Sequence, residues 1–487
     1  MTLTIYNTLT RDKKPFEPIV AGTVRMYCCG VTVYDYCHLG HARSYIVWDT
    51  VRRYLQWCGY QVQYVQNFTD IDDKIIRRSQ EEGLPWQEIT RKYIEAYQED
   101  MGRLNILPAN AYPKATDVMP QIIELIKTLI EQGYAYPVDG DVYYAVERFP
   151  DYGKLSGRKL EQMEAGASER LETEAVAKKR HPLDFALWKA AKPGEPEWES
   201  PWGKGRPGWH IECSAMVREW LGDRIDIHSG GEDLVFPHHE NEIAQSEAAL
   251  SQPLANFWMH NGFVKIRGDK MSKSLKNFTT IRSLLETTDP MVVRLFVLQA
   301  HYRSPIDFTE DAIAAAENGW NTLKEALKYQ VNFEQLPGWS NTDTLDQASV
   351  DRFNDAMNDD FNTPVAIAVL FELSKDLRRE GNVLVHTGQS DLPVEQLQQK
   401  WQTLRRLSQV LGLEVSSVSD AELTDANPNS NVAAGLSDAE IEALIQQRQA
   451  ARKAKNFAEG DRIRNELQAQ GITLIDQPGG ETRWHRH

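Results

Sequence analysis

The sequence predicts an α/β fold with a parallel sheet, followed by a helical bundle and a small α+β module. A strand–helix–strand pattern opens near residue 24, strands and helices alternate again after residue 209, and the chain is almost wholly helical beyond residue 304. Strands that alternate with helices form parallel sheets, whereas continuous amphipathic helices pack as bundles. We therefore expect a Rossmann-like sheet domain with an insertion, an α-helical bundle and a C-terminal module.

The first βαβ unit explains the start of the sheet. Val24–Cys29 is an apolar strand that ends at Gly30, and Tyr60–Asn67 is the next strand. Between them, His41–Trp57 has apolar residues at helical spacing, and Gly59 ends the helix. A helix that connects two strands in this way makes them parallel.

An insertion interrupts this sheet. Tyr134–Val146 is typical of a hairpin with Asp-Gly at its turn, and the chain up to Pro207 then mixes Pro, Gly, Trp and charges without a period. The sheet then resumes with the helices Trp209–Leu221 and Pro237–Leu250 and the strands Arg224–His228 and Phe257–Lys265. The predicted domains are 1–110 with 209–280 (sheet), 111–208 (insertion), 281–345 (connecting region), 346–415 (helical bundle), 416–432 (linker) and 433–487 (C-terminal module).

Composition restricts the class of protein. The chain has 487 residues, no apolar stretch long enough to span a bilayer, and no basic-then-apolar signal peptide. Its five cysteines argue against a disulfide framework and for a reducing compartment. We expect a cytoplasmic protein with no membrane segment, and we take a monomer as the default. Cys37 and Cys58 are assigned to packing.

The net charge of −16 disfavours broad wrapping of nucleic acid. It leaves room for a local basic stripe, for which Arg448–Arg464 is a candidate. A solvated helix face is the alternative interpretation of that run.

Four dispersed side chains have the chemistry of a metal site. His238 and Glu242 are separated by one helical turn, so they share a helix face. Cys213 lies on another helix, and Cys29 ends a strand where ligands bind in open α/β sheets. A sulfur, sulfur, nitrogen and oxygen set suits Zn²⁺. The alternative is that Cys213 is a buried thiol and His238 a helix-capping residue.

Two neighbours compete for these ligand positions. Cys28 shares a strand face with apolar Met26 and Val24, so we assign it to packing. His239 follows His238, and a rotation of about 100° per residue predicts that it points away from Glu242.

His38-Leu39-Gly40-His41 lies at the start of the first helix. Helix N-termini attract anions, and imidazoles there can donate hydrogen bonds to phosphate oxygens. Gly40 leaves room for a flat ring against the backbone. Taken alone, this four-residue motif is only weak evidence for a phosphate-binding site.

A second segment, "GDKMSKSLKN", supplies two ammonium groups, Lys270 and Lys273. A mobile loop of this kind can close on the charge that develops in nucleotidyl transfer. Gly230, Gly231 and Asp233 form a turn after a strand, and the Asp233 carboxylate could accept a ribose hydroxyl. The alternative interpretation is that this segment is a lysine-rich loop exposed to solvent.

Together these motifs resemble the class I aminoacyl-tRNA synthetases. The segments "YCCGVTVYDYCHLGHAR", "NFTDIDDKII", "PGWHIECSAM" and "FPHHENEIAQSEA" resemble the cysteinyl-tRNA synthetase family in particular, over nearly the whole chain. The resemblance implies one Zn²⁺ per chain, held by Cys29, Cys213, His238 and Glu242. It implies ATP with Mg²⁺, L-cysteine and tRNA-Cys as substrates and partners.

The resemblance also implies roles for individual residues. His38 and His41 would contact the ATP phosphates, and Lys273, with Lys270 beside it, the departing pyrophosphate. Trp209 would wall the cysteine pocket, with a packing role in the core as the alternative. In the C-terminal module, Arg483 and Trp484 would contact anticodon bases.

Two other functions remain open on sequence grounds. A ligase that joins cysteine to an amino sugar would share the catalytic core but lack the RNA-reading module. A non-catalytic zinc protein that binds RNA would not need both the histidine and the lysine motif.

Overall fold

The computed structural model describes residues 2–160, 178–266, 269–270, 279–339, 343–415, 438–454, 456–470, 472–476 and 482–486. The strands are β1 (Thr4–Asn7), β2 (Asp12–Pro15), β3 (Thr23–Thr32), β4 (Gln61–Thr69), β5 (Ala135–Val138), β6 (Asp141–Tyr144), β7 (Phe185–Ala190), β8 (Gly205–Pro207), β9 (Ile225–Gly231), β10 (Ala255–Asn261), β11 (Val264–Ile266), β12 (Asp269–Lys270), β13 (Ile306–Phe308), β14 (Ile472–Asp476) and β15 (Thr482–Arg486).

The helices are α1 (Leu39–Trp57), α2 (Asp73–Glu82), α3 (Trp86–Arg103), α4 (Met119–Glu131), α5 (Trp209–Leu221), α6 (Glu240–Leu250), α7 (Ile281–Leu284), α8 (Pro290–Leu298), α9 (Glu310–Lys328), α10 (Gln330–Phe333), α11 (Gln347–Asn358), α12 (Thr363–Thr387), α13 (Val394–Val410), α14 (Asp438–Lys453) and α15 (Phe457–Ala469). Within the described ranges, no helix combines the length and the apolar character that crossing a bilayer requires.

The central sheet has the strand order β10-β9-β3-β4, and all of its neighbouring strands are parallel. The predicted βαβ unit is therefore confirmed as β3-α1-β4, and the sheet resumes after the insertion with β9 and β10. Near the carboxyl end of β3, its register with β4 shifts between Cys28 and Val31. The shift lies beside Cys29, at the sheet edge where ligands bind in this fold class.

The insertion contains an antiparallel sheet of order β5-β6-β7-β8. Its first hairpin turns at Asp139 and Gly140, which have φ values of 49° and 85°. Two consecutive positive φ angles are what a two-residue hairpin turn requires, so the predicted Asp-Gly hairpin is confirmed.

Three local predictions were wrong. The strand predicted at Phe257–Lys265 is two strands, β10 and β11. The helix predicted from Pro237 begins at Glu240, after a π-helical turn in which Phe236 has φ −141° and ψ 130°. Cys58 is exposed at the end of α1 and does not pack in the core.

The chain divides into two compact units: residues 1–328, 342–375 and 399–414 form the first, and residues 329–341, 376–398 and 415–487 form the second. The second unit contains α14, α15 and the antiparallel pair β14–β15, so the C-terminal module is α+β as predicted. Its core includes Ile441, Ile445, Ile463 and Leu467. The domain boundaries predicted from the sequence stay a prediction.

Candidate active site

A cavity of about 410 Å³ lies at the carboxyl ends of the parallel strands, within the first unit. It is lined by the end of β3, the start of α1, the start of α5 and the turn after β9. The predicted residues that it brings together are Cys29, His38, Gly40, His41, Trp209, Gly231 and Asp233.

The four predicted metal ligands converge at one end of this region. Ligand atoms of Cys29, Cys213, His238 and Glu242 all lie within 4.8 Å of one another, and all four residues are buried. Cys29 Sγ is 3.9 Å from Cys213 Sγ and 3.4 Å from Glu242 Oε1. His238 Nε2 is 3.0 Å from Glu242 Oε1. Because Zn–S and Zn–N bonds are about 2.3 and 2.0 Å long, tetrahedral ligand atoms are roughly 3.3–3.8 Å apart, so the donor set fits zinc.

The electrostatics of the cluster also suit a cation. A hydrogen bond from Cys29 outweighs desolvation and lowers the pKa of Cys213 to about 6. Burial opposes ionisation of Glu242, but His228 and His238 outweigh it and lower its pKa to about 2. Burial alone would lower the pKa of His238, yet the charges of Glu242 and Cys213 raise it to about 10. The cluster therefore holds two anionic donors, and a divalent ion would replace the His238 proton.

Two further histidines adjoin the cluster. His228 Nε2 is 2.9 Å from Glu242 Oε2, and His239 Nε2 is 3.2 Å from Cys29 Sγ. Cys29, His228, His239 and Glu242 form a second set whose ligand atoms lie within 4.8 Å of one another. The prediction that His239 points away from Glu242 was wrong: His239 Nε2 lies 4.0 Å from Glu242 Oε1, because residues three apart also share a helix face and His239 has helical φ and ψ angles of −68° and −32°.

A hydrogen-bonded chain continues from this second set. His239 Nδ1 is 2.8 Å from His260 Nε2, and His260 Nδ1 is 2.8 Å from Thr8 Oγ1. His228 and His260 were not among the predicted site residues. His228 ends the predicted strand Arg224–His228, so a search for polar residues at the carboxyl ends of predicted strands would have found it, whereas His260 falls in the middle of the predicted strand Phe257–Lys265.

The first helix begins with a cap made by its own histidines. His38 Nδ1 accepts a hydrogen bond from the Gly40 amide at 3.1 Å, and His41 Nδ1 accepts one from the His38 amide at 3.1 Å. The two rings stack with centroids 3.9 Å apart. A neutral imidazole that accepts at Nδ1 carries its proton at Nε2, so both rings present Nε2–H donors.

The glycines of the site are explained by close approaches of side chains. A Cβ at Gly40 would lie 2.8 Å from a ring atom of His38, so the flat ring that lies against this glycine is the His38 imidazole. A Cβ at Gly230 would lie 2.8 Å from the ring of His239. Asp233 is exposed at the cavity rim, where its predicted ribose contact is sterically open.

Trp209 stacks on the metal-ligand candidate His238, with ring centroids 4.2 Å apart. It is 38% exposed and lines the cavity beside Cys29. The tryptophan thus contacts both the cavity and the metal cluster, and its role as a wall of the cysteine pocket stays a prediction.

The remaining predicted residues are only partly covered by the structure. Lys270 ends β12, Lys273 lies outside the described residues, and for Arg483 the structure places only the backbone, in β15. Trp484 is half-buried against the core of the C-terminal module, and its Nε1 donates to Glu442 Oε2 at 3.1 Å. Contacts of these residues with substrates stay predictions.

Family models match three consecutive parts of the chain. Residues 15–318 match the class I (C) tRNA synthetase catalytic domain, and residues 352–416 match the DALR domain. Residues 435–484 match the anticodon binding domain of cysteinyl-tRNA ligase.

Curated relatives align over their full length. The chain is 63% identical to a cysteine–tRNA ligase of Cyanothece sp. and 62% identical to one of Nostoc sp., with 100% of both chains covered in each case. Among solved structures, the Mycobacterium tuberculosis methionyl-tRNA synthetase in complex with methionyl-adenylate has a TM-score of 0.55 at 16% identity, covering 80% of this chain and 90% of that one. At that identity the likeness shows the class I fold alone.

Proposed function

Because the chain belongs to the cysteine–tRNA ligase family, and is therefore a ligase, we propose that it activates L-cysteine with ATP and transfers it to tRNA-Cys. One observation carries this proposal: a single cavity is lined both by the histidine cap of α1 and by Cys29 of the metal cluster. This shared lining supports a site in which the helix end would bind the phosphates of ATP and the metal centre would bind the thiol of cysteine.

In the first step, the cysteine carboxylate attacks the α-phosphate of ATP and pyrophosphate leaves. The Nε2–H groups of His38 and His41 donate to phosphate oxygens, since both rings accept hydrogen bonds at Nδ1. Lys273, with Lys270 three residues before it, neutralises the departing pyrophosphate, and Mg²⁺ accompanies the ATP. This is electrostatic preorganisation and needs no protein nucleophile.

Selection against serine requires more than shape, because a pocket rejects an analogue that differs by one atom poorly. Zinc held by Cys29, Cys213, His238 and Glu242 would supply a soft Lewis acid that prefers a thiolate to a hydroxyl. Trp209 closes the pocket over this centre by stacking on His238.

In the second step, a hydroxyl of the terminal ribose of tRNA attacks the carbonyl of cysteinyl-adenylate, and AMP leaves. The match of residues 435–484 to an anticodon binding domain supports tRNA, and not an amino sugar, as the acceptor. Arg483 and Trp484 of β15 are the proposed contacts with anticodon bases.

Cysteine-dependent ATP–pyrophosphate exchange, followed by charging of tRNA-Cys, tests the proposal. We expect exchange with cysteine and little with serine, and acylation of tRNA but not of an amino sugar. Acylation of an amino sugar but not of tRNA would show that the sugar, and not tRNA, is the acceptor. Absence of exchange would contradict the proposal altogether.

A further inference from the structure

A second cavity, of about 660 Å³, adjoins the one that holds the catalytic motifs. The two share Asp233, Gly262 and Phe263 in their linings, so they meet along one strip of the protein. The proposed function assigns ATP and cysteine to the cavity that holds the catalytic motifs. The other opens beside the point at which the adenylate would form.

Three arginines from separate segments line the second cavity: Arg11, Arg158 and Arg303. Arg303 is paired with Asp360 at 2.8 Å. Arg11 donates to the Ser156 carbonyl at 3.1 Å, and within the described part of the chain neither Arg11 nor Arg158 has a carboxylate partner. Two guanidinium groups are therefore available to bind phosphates, which they recognise in bidentate fashion.

Aromatic rings stand next to these cations. The Arg158 guanidinium lies 4.9 Å from the ring centroid of Phe236, and that of Arg303 lies 4.3 Å from Tyr6. Both rings line the cavity. Tyr6 and Phe236 are half-buried, and aromatic rings combined with arginine are typical of sites for single-stranded nucleic acid, in which bases stack on the rings and the cations pair with phosphates.

Phe263, which lines both cavities, is held in place by a buried arginine. Buried Arg43 donates to the carbonyl of Phe263 at 2.6 Å and to that of Tyr302 at 3.1 Å. The carboxylates of Glu232 and Asp233 lie at this end of the second cavity, and Asp233 lines both cavities. Carboxylates in this position repel a phosphate group, but they can accept hydrogen bonds from ribose hydroxyls.

We propose that this second cavity receives the single-stranded 3′ end of the tRNA, with Arg11 and Arg158 on its phosphates. The inference rests on the proposed function, because it names the site of that function's acceptor. The end nucleotides enter past Phe236 and Tyr6, and the terminal ribose crosses the shared strip at Gly262 towards the adenylate. A free nucleotide would also satisfy these side chains, but the opening into the catalytic cavity favours a strand whose end must react there.

The double variant R11Q/R158Q tests the assignment, with R218Q as a matched control at an exposed arginine of α5 that pairs with Asp223 outside both cavities. For R11Q/R158Q, kcat/KM for tRNA should fall at least about tenfold, while cysteine-dependent ATP–pyrophosphate exchange is retained. Each lost phosphate contact lowers the log–log salt slope by about 0.7 for a single strand, so this slope should fall by about 1.4. R218Q should change neither quantity.

An unchanged tRNA kcat/KM and salt slope in R11Q/R158Q, with wild-type protein still charging tRNA, would overturn this inference and leave the proposed function standing. If R11Q/R158Q changes the ATP dependence of exchange but transfers cysteine to tRNA normally, the second cavity binds a free nucleotide and the inference is overturned. Failure of the wild-type protein to charge tRNA would overturn both. If the double variant misfolds, the wild-type protein can be crosslinked to tRNA that carries a photoreactive terminal nucleotide. Crosslinks to peptides that contain Tyr6 or Phe236 would support the site, and crosslinks elsewhere would overturn it.

Discussion

The metal cluster and the histidine cap are adjacent but are built in different ways. The ligands of the cluster come from distant positions, such as Cys29 and Cys213, which are 184 residues apart, and all are buried. The cap is formed by neighbouring residues, 38–41, and is partly exposed; besides the hydrogen bonds within that turn, the Leu39 amide donates to the Thr279 carbonyl at 3.1 Å. Under the proposed function, the cluster would set which amino acid binds, whereas the cap would set how fast it is activated. The two functions should therefore be separable by mutation.

The largest effect is expected from Cys213→Ser. Removing one partner from a buried charged set costs about 3–5 kcal/mol, which corresponds to roughly 10²–10⁴-fold. Zinc content and cysteine affinity should fall together, and elemental analysis with cysteine titration measures both. Retention of zinc with unchanged cysteine affinity would remove Cys213 from the site.

His38→Asn separates capping from catalysis. Asparagine is a good N-cap, so the helix should keep its stability, but the imidazole donor to phosphate is lost. Adenylate formation should slow by about 10²–10³-fold with unchanged zinc content, as measured by single-turnover kinetics. His38→Ala is the matched variant, and it should lose about 1 kcal/mol of unfolding free energy in addition. Should His38→Asn lower zinc content instead, the two regions are not independent.

A smaller effect is expected from His228→Asn. His228 contacts Glu242 from the side opposite His238, and loss of such an outer partner weakens metal binding by about 10–100-fold. A competition assay with a chromophoric chelator measures this, and Lys273→Ala is the control that should slow adenylate formation without changing metal affinity. If His228→Asn loses zinc as completely as Cys213→Ser does, His228 is itself a ligand and the second set of donors is the correct one.

The same comparison explains what the sequence could predict. The cap is local, so its residues and its position at the start of a helix can be predicted from consecutive residues of the sequence. The βαβ unit follows from two strands and one helical period. Cys29 was separable from Cys28 because strand faces alternate, and Cys28 is indeed fully buried.

The cluster's surroundings could not be predicted in that way. His239 was misplaced because residues three apart also share a helix face, and sequence periodicity carries no signal for the π-helical turn Val235–His239 or for the non-helical Phe236 within it. The chain from His239 through His260 to Thr8 joins three elements through side chains alone. Only the packing of the sheet brings such residues together.

The central claim is that zinc in the buried cluster gives the enzyme its preference for cysteine. The most direct measurement is the ratio of cysteine to serine activation in ATP–pyrophosphate exchange, before and after zinc is removed and restored, with metal content determined in the same samples. We predict about one zinc per chain, a collapse of the cysteine preference on removal, and its return with zinc. Active protein that contains no metal and still prefers cysteine would contradict the account.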